Sequence, residues 1–191
     1  MKSKYLFAGL LIVPLAFLGL HSIKNIRLLL SGNIDTIYKK VETRSGLPLR
    51  LTIPKIKVDS KVESVGLTTE GAMGVPSGPV DVAWLNLGAR PGDKGSAVIA
   101  GHHGWKNGQS AVFDNLDKLR IGDKIYTEDS NGKTTTFVVV RSKIYSPEAF
   151  APEVFQSANG IHLNLVSCTG EWDKSTKSSS KRLVVFTDIV S

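Results

Sequence analysis

Beyond Leu49 the chain is cut by turn-forming residues into apolar runs of four to eight residues: Leu51 to Val58, Ser96 to Ala100, Lys124 to Thr127, Thr135 to Ser142, Ile161 to Ser167 and Leu183 to Val190. Such runs are too short for helices that could build a bundle, but they have the length and the Val, Ile, Thr and Phe content of strands. The expected fold class is all-β. In the first run the apolar residues change parity across Pro54, Leu51 and Ile53 being odd and Ile56 and Val58 even, and Pro lacks the N–H a ladder needs. A bend or bulge is expected there. Asp129-Ser130-Asn131-Gly132, between two of the runs, reads as a hairpin, because Asn and Gly tolerate positive φ. Val112, Phe113, Leu116 and Leu119 recur at helical spacing and suggest one short helix.

With 191 residues, 41% hydrophobic and 21% charged, the chain is sized for one globular domain with short appendages. Its single cysteine, Cys168, excludes an internal disulfide, and no Cys/His spacing suggests structural zinc. No cofactor is expected. A net charge of +7 would favour an anionic surface. The basic residues are scattered, however, with no Arg-rich helix, so no nucleic-acid partner is expected.

Lys2 and Lys4 precede an apolar run from Tyr5 to Leu20, after which Lys24 and Arg27 restore polarity. Sixteen helical residues cover about 24 Å, short of a hydrocarbon core of about 30 Å unless Ile23 joins and Lys4 snorkels. A cleaved secretory signal has a similar pattern, but Leu18-Gly19-Leu20 puts large residues where a signal peptidase needs small ones. The expected organisation is a cytoplasmic stub over 1–4, a membrane-spanning anchor over 5–23, a partly helical linker over 24–48 and an extracellular domain over 49–191. The flanking charges nearly cancel, so orientation rests weakly on them.

Cys168 ends the run Ile161 to Ser167 and is followed by Thr169-Gly170. On position alone it reads equally as a reachable thiol or as a small buried hydrophobe. If its strand pairs antiparallel with the run opening at Arg182, the two residues become neighbours. A guanidinium there can stabilise a thiolate or an oxyanion, or it can simply be a surface Arg at a strand end. His102 and His103 follow the run Ser96 to Ala100, where an imidazole could exchange protons. Adjacent side chains on extended backbone point apart, which argues against a shared metal. His162 is six residues of strand from Cys168, about 20 Å, and reads as structural.

Taken together, Ala100-Gly101-His102, Leu165-Val166-Ser167-Cys168 and Lys181-Arg182-Leu183-Val184-Val185 resemble, in order and separation, the three signature segments of sortases. Ile53-Pro54-Lys55-Ile56 resembles that family's opening strand, and the likeness extends over about 51–190. It implies an eight-stranded β-barrel with Cys168, His102 and Arg182 at one end of a peptide groove. Cys168 would attack the Thr–Gly carbonyl of an LPxTG-like sorting motif, Arg182 would hold the oxyanion and His102 would protonate the departing amine. An amine of a peptidoglycan precursor or a pilin lysine would then resolve the thioester. Ser167, Trp105 and Trp172 would line the substrate site. Asn164-Leu165-Val166-Ser167 departs from the frequent Thr-Leu-x-Thr, and Gly101-His102-His103-Gly104-Trp105 resembles class E or F more than class C. No carboxylate cluster suggests calcium.

Two other functions fit an exported β-rich domain. An L,D-transpeptidase also uses Cys and His, but in a Ser-His-Gly-Cys-like run that Ser167-Cys168-Thr169-Gly170 does not reproduce. An anchored scaffold or adhesin would need none of the three reactive residue types found here.

Overall fold

Pro54 reverses the chain rather than bending one strand. In this computed structural model, which describes residues 45–190 except 158, 176 and 177, β1 (Pro48–Ile53) ends at a 3-10 turn, Pro54–Ile56, and β2 (Val58–Val65) returns antiparallel with Ile53 opposite Val58. Lys57 takes a left-handed φ of 57° and its N–H reaches the Pro54 carbonyl at 3.1 Å. Proline suits the first position of such a turn, where its fixed φ helps and its missing donor costs nothing. The expected bend is thus corrected to a hairpin, and the parity switch in the sequence is its trace.

Six further strands follow: β3 (Val82–Leu85), β4 (Gly95–Gly101), β5 (Lys124–Asp129), β6 (Thr134–Tyr145), β7 (Ile161–Asp173) and β8 (Ser178–Ile189). They close into a barrel in the order β1-β2-β3-β4-β7-β8-β6-β5. The β2/β3 and β4/β7 pairs are parallel and the others antiparallel. Closure satisfies the ladders that an open sheet would leave at its edges. All four residues of β3 are buried, so it has no alternation by which the sequence could reveal it.

Strand parity sorts side chains between two apolar layers. The inner layer draws on every strand, including Leu51, Ile53, Val58, Val82, Ala97, Ile99, Ile125, Phe137, Leu163, Leu165, Leu183 and Val185. The alternate residues Val98, Val184 and Phe186 face outward and pack with Leu85 and Val154. Val154 comes from a four-residue helix, Pro152–Phe155, too short to show a periodic signal. Each buried Leu, Ile or Phe contributes about 1.5–3 kcal/mol before conformational entropy is subtracted.

The connection after β4 carries Phe113, Leu116 and Leu119, all buried; instead of the expected regular helix it has a 3-10 turn over Leu116–Lys118, with Phe113 before it and Leu119 after it. Leu116 N–H bonds the Phe113 carbonyl and Leu119 N–H the Leu116 carbonyl, so successive i, i+3 turns bring all three into the inner core. The expected β5/β6 hairpin is present, with Gly132 at φ 75°. Asp129 accepts from the N–H groups of Gly46, Asn131 and Lys133 at 2.7, 2.8 and 3.0 Å. Burial pushes this carboxyl up, but those backbone donors outweigh it and hold it below the usual carboxylate value.

The stub over 1–4, the membrane span over 5–23 and the linker up to residue 44 lie outside the described residues. Among the described residues, no helix is long and apolar enough to cross a membrane. The last linker residues belong to the barrel: Ser45 N–H donates to Asp93 and Gly46 N–H to Asp129, each at 2.7 Å.

Candidate active site

Because β4, β7 and β8 are neighbours in the barrel, the end of β4 lies level with interior positions of β7 and β8, and the three form one row. Gly101 pairs with Ser167 in the parallel β4/β7 ladder, and Cys168 pairs with Arg182 in the antiparallel β7/β8 ladder. His102, one residue past Gly101, therefore flanks Cys168 on one side and Arg182 flanks it on the other. Neighbouring strands lie about 4.8 Å apart. Parity selects the face: Gly101, Ser167 and Leu183 belong to the inner set, so His102, Cys168 and Arg182 share the outer face with Ala100, Val166 and Val184. Cys168 is half-buried and free.

The row is held from beneath. Ser167 is buried and its hydroxyl donates to the Gly101 carbonyl at 2.8 Å, tying the cysteine strand to the histidine strand. Phe113 packs so closely that a Cβ on Gly101 would lie 2.5 Å from its ring, and its N–H donates to the His102 carbonyl at 2.9 Å. Only glycine leaves room for that plug. Arg182 donates from Nη1 to the carbonyls of Ser179 and Lys181 at 2.8 and 3.0 Å, and from Nη2 to the Ser178 hydroxyl at 2.9 Å. The guanidinium is thereby fixed on the opening residues of its own strand. His102 Nε2 lies 3.0 Å from the Pro76 carbonyl.

Cys168 does not end its strand, contrary to expectation. β7 continues to Asp173, with a register shift between Thr169 and Trp172. Gly170, at φ 81°, permits the irregularity, since a Cβ there would meet the Ser180 hydroxyl at 2.5 Å. The stretch Thr169 to Lys181, rich in Ser, Thr and Lys, reads as a loop and concealed this extension, because it lacks apolar alternation.

Two cavities meet at the row. One, of about 530 Å³, is an apolar groove walled by Met73 and Val75 on one side and Tyr145, Ala151 and Phe155 on the other, with Ala100, Val166 and Val184 as its floor; it also reaches Arg182. The second, of about 710 Å³, is walled by His103, Trp105, Lys106, Gly170, Trp172 and Ser179. Cys168 and His102 line both. Trp105 packs on His102 with ring centroids 4.6 Å apart, and Lys106 Nζ lies 5.4 Å from the Trp105 ring. Trp172 is exposed. Of the residues expected at the site, Ser167 borders the groove while Trp105 and Trp172 border the second cavity.

The groove wall after β6 is tied by a polar cluster. Tyr145 hydroxyl donates to Glu153 at 2.8 Å and Lys143 Nζ lies 3.2 Å from the same oxygen. The Tyr145 hydroxyl, backbone and Lys143 together hold the Glu153 carboxyl down at about 2. Burial, then Glu153, pushes the Tyr145 hydroxyl up. His162 stands apart: its Nδ1 meets Asp188 at 2.7 Å and its Nε2 the Asn159 carbonyl at 2.6 Å. Among the described residues, no three His, Cys, Asp or Glu side chains gather as a metal site requires.

Sequence reasoning left both groove walls unassigned. The faint signals were large apolar residues in turn-rich stretches, such as the exposed Val75 and Phe155.

A family model described as Sortase domain matches residues 51–190. Among solved structures, sortase C-1 from Actinomyces oris is 23% identical, with 74% of this chain and 73% of that one covered and a TM-score of 0.59. A lid mutant of sortase A from Corynebacterium diphtheriae is 24% identical, with 78% and 72% covered and a TM-score of 0.58. No curated protein matches the chain. At these identities the structural likeness speaks for the fold, and the family model speaks for descent.

Proposed function

This chain belongs to the sortase family and is a cysteine transpeptidase of that type, and from that premise we propose that it cleaves an LPxTG-like sorting motif between Thr and Gly and passes the acyl group to an amine. Cys168 thiolate attacks the Thr carbonyl carbon, forming the C–S bond while the carbonyl π electrons move to oxygen. Arg182 donates to that oxyanion. Collapse breaks the C–N bond, and His102 delivers its proton to the departing Gly amine, leaving a thioester. The acceptor amine then attacks the thioester, His102 takes up its proton, and thiolate is expelled.

The observation that carries this reading is that Cys168 and His102 lie on the wall common to both cavities. A hydrolase needs one peptide groove and water, whereas a transferase must bring two partners to the same thioester. The apolar groove suits an extended Leu-Pro-containing peptide, with Ser167 at its edge. The second cavity, with Trp105 and Trp172, suits the acceptor, a peptidoglycan precursor or a pilin lysine. Gly101-His102-His103-Gly104-Trp105 supports placement with class E or F. We read the apolar run from Tyr5 as a single-pass anchor that holds the domain outside the cell.

The test is turnover of an internally quenched LPxTG-type peptide library by the full-length protein, with and without added amines, followed by mass spectrometry. A thioacyl adduct on Cys168 and an amine-dependent ligated product are expected. Cleavage that proceeds without such an adduct, or that no amine can divert from hydrolysis, overturns the assignment as a transpeptidase of sorting motifs.

A further inference from the structure

The bond between His102 Nε2 and the Pro76 carbonyl, 3.0 Å long, fixes more than a ring position. A carbonyl oxygen carries no proton, so the imidazole is the donor and its hydrogen sits on Nε2. In the neutral ring Nδ1 is then the lone-pair atom.

That carbonyl lies in a segment clamped beside it by one side chain. Pro76 is buried in the segment between β2 and β3, and its successor Ser77 is clamped by Glu63 on β2. The Glu63 carboxylate accepts the Ser77 N–H at 3.2 and 3.1 Å and the Ser77 hydroxyl at 2.8 Å. Further along, Pro79 carbonyl accepts the Val112 N–H at 2.7 Å, next to Phe113, which bonds the His102 carbonyl. The imidazole tip is therefore referenced to Glu63 through Ser77 and Pro76, and the His102 backbone to Phe113. The same segment supplies Met73 and Val75 to the groove wall, so peptide and imidazole are aligned against one piece of backbone.

We propose that Glu63 is a positioning residue that, through Ser77 and the Pro76 carbonyl, locks His102 in the Nε2–H tautomer and leaves Nδ1 as the proton-transfer atom. The kinetic part of this inference rests on the transpeptidase reading above; the tautomer part does not. Glu63 touches no reacting atom, so its loss should act on kcat and spare peptide binding.

The experiment is done on full-length protein labelled with ¹⁵N in its four histidines, with His102→Gln assigning the His102 signals. In the wild type the His102 nitrogens should show Nε2–H alone; in Glu63→Ala a mixture with Nδ1–H should appear. With an LPxTG-type peptide, kcat should fall about fivefold or more, KM should change less than twofold, and Glu63→Gln, which keeps an acceptor for Ser77, should restore at least half of kcat. Ser77→Ala removes one of the clamp's bonds and should give a smaller change in the same direction; it serves as the test if Glu63→Ala does not fold. A wild-type tautomer pattern in both variants, a loss confined to KM, or a Gln variant no better than Ala overturns the proposal. If the wild type cleaves no such peptide, the transpeptidase reading fails while the nitrogen spectra still decide the tether.

Discussion

The parallel pair β4/β7 carries a histidine near each end, and the two ends could hardly be used more differently. Where the strands begin, His162 on β7 has both ring nitrogens engaged, by Asp188 and by the Asn159 carbonyl. Where they finish, His102 has one nitrogen bonded to Pro76 and a ring that borders two cavities beside a half-buried thiol. Residue type and strand pair are the same, so neither explains the difference. An imidazole whose two nitrogens are bonded holds structure, whereas one with a nitrogen to spare can move protons.

The sharpest way to break that comparison is to remove each histidine in turn. His102→Ala and Cys168→Ala should each lower peptide turnover by at least about 10³-fold, and His162→Ala should keep more than half of it while melting earlier. Equal losses from both histidine variants would erase the distinction between the ends. His103→Ala, which alters the second cavity without touching the groove, should leave cleavage largely intact.

Next in size is the plug under the finishing end. Phe113→Ala, by emptying a fully buried site, should cost about 3–5 kcal/mol in denaturant unfolding. It should also reduce turnover beyond what the lost folded fraction explains, because the Phe113 ring packs against Gly101, the residue before His102. At the starting end, Asp129→Ala leaves the Gly46, Asn131 and Lys133 donors short of an acceptor and should cost about 1–3 kcal/mol, with kcat unchanged for the folded protein. A kcat loss there would mean that the ends are coupled.

The smallest effect concerns the groove wall. The carboxyl of Glu153 sits at about 2, below its ordinary 4.5, held first by the Tyr145 hydroxyl. Its ionised form favours the folded state, so its contribution is complete above pH 4.5 and is lost as pH falls toward about 2. The difference in melting temperature between wild type and Glu153→Gln should therefore be constant at neutral pH and shrink to nothing across that acid window. A difference that grows on acidification would reverse the sign and discard the assigned cause.

Much of the barrel is written locally. Leu163 and Leu165 against Asn164 reveal a strand and its inward face from alternation, whereas Leu183 to Phe186, apolar and buried throughout, reveal a strand without saying which side faces in. β3 escapes because it is buried on both sides, and the far half of β7 escapes because polar residues can extend a ladder without alternating. The groove walls escape for a third reason: Met73, Val75 and Phe155 acquire meaning from what stands across from them.

The linear chain settles an inventory and a parity: one thiol, an imidazole and a guanidinium, each at a fixed phase on an apolar strand. Only the closed barrel sets Cys168 against Arg182, lays Gly101 beside Ser167 from 66 residues away, and brings a proline carbonyl to the imidazole. Alternation along a strand follows from its own backbone geometry, but register between strands is a choice among pairings of distant segments. Barrel closure and packing around Phe113 make that choice, and no local pattern encodes it.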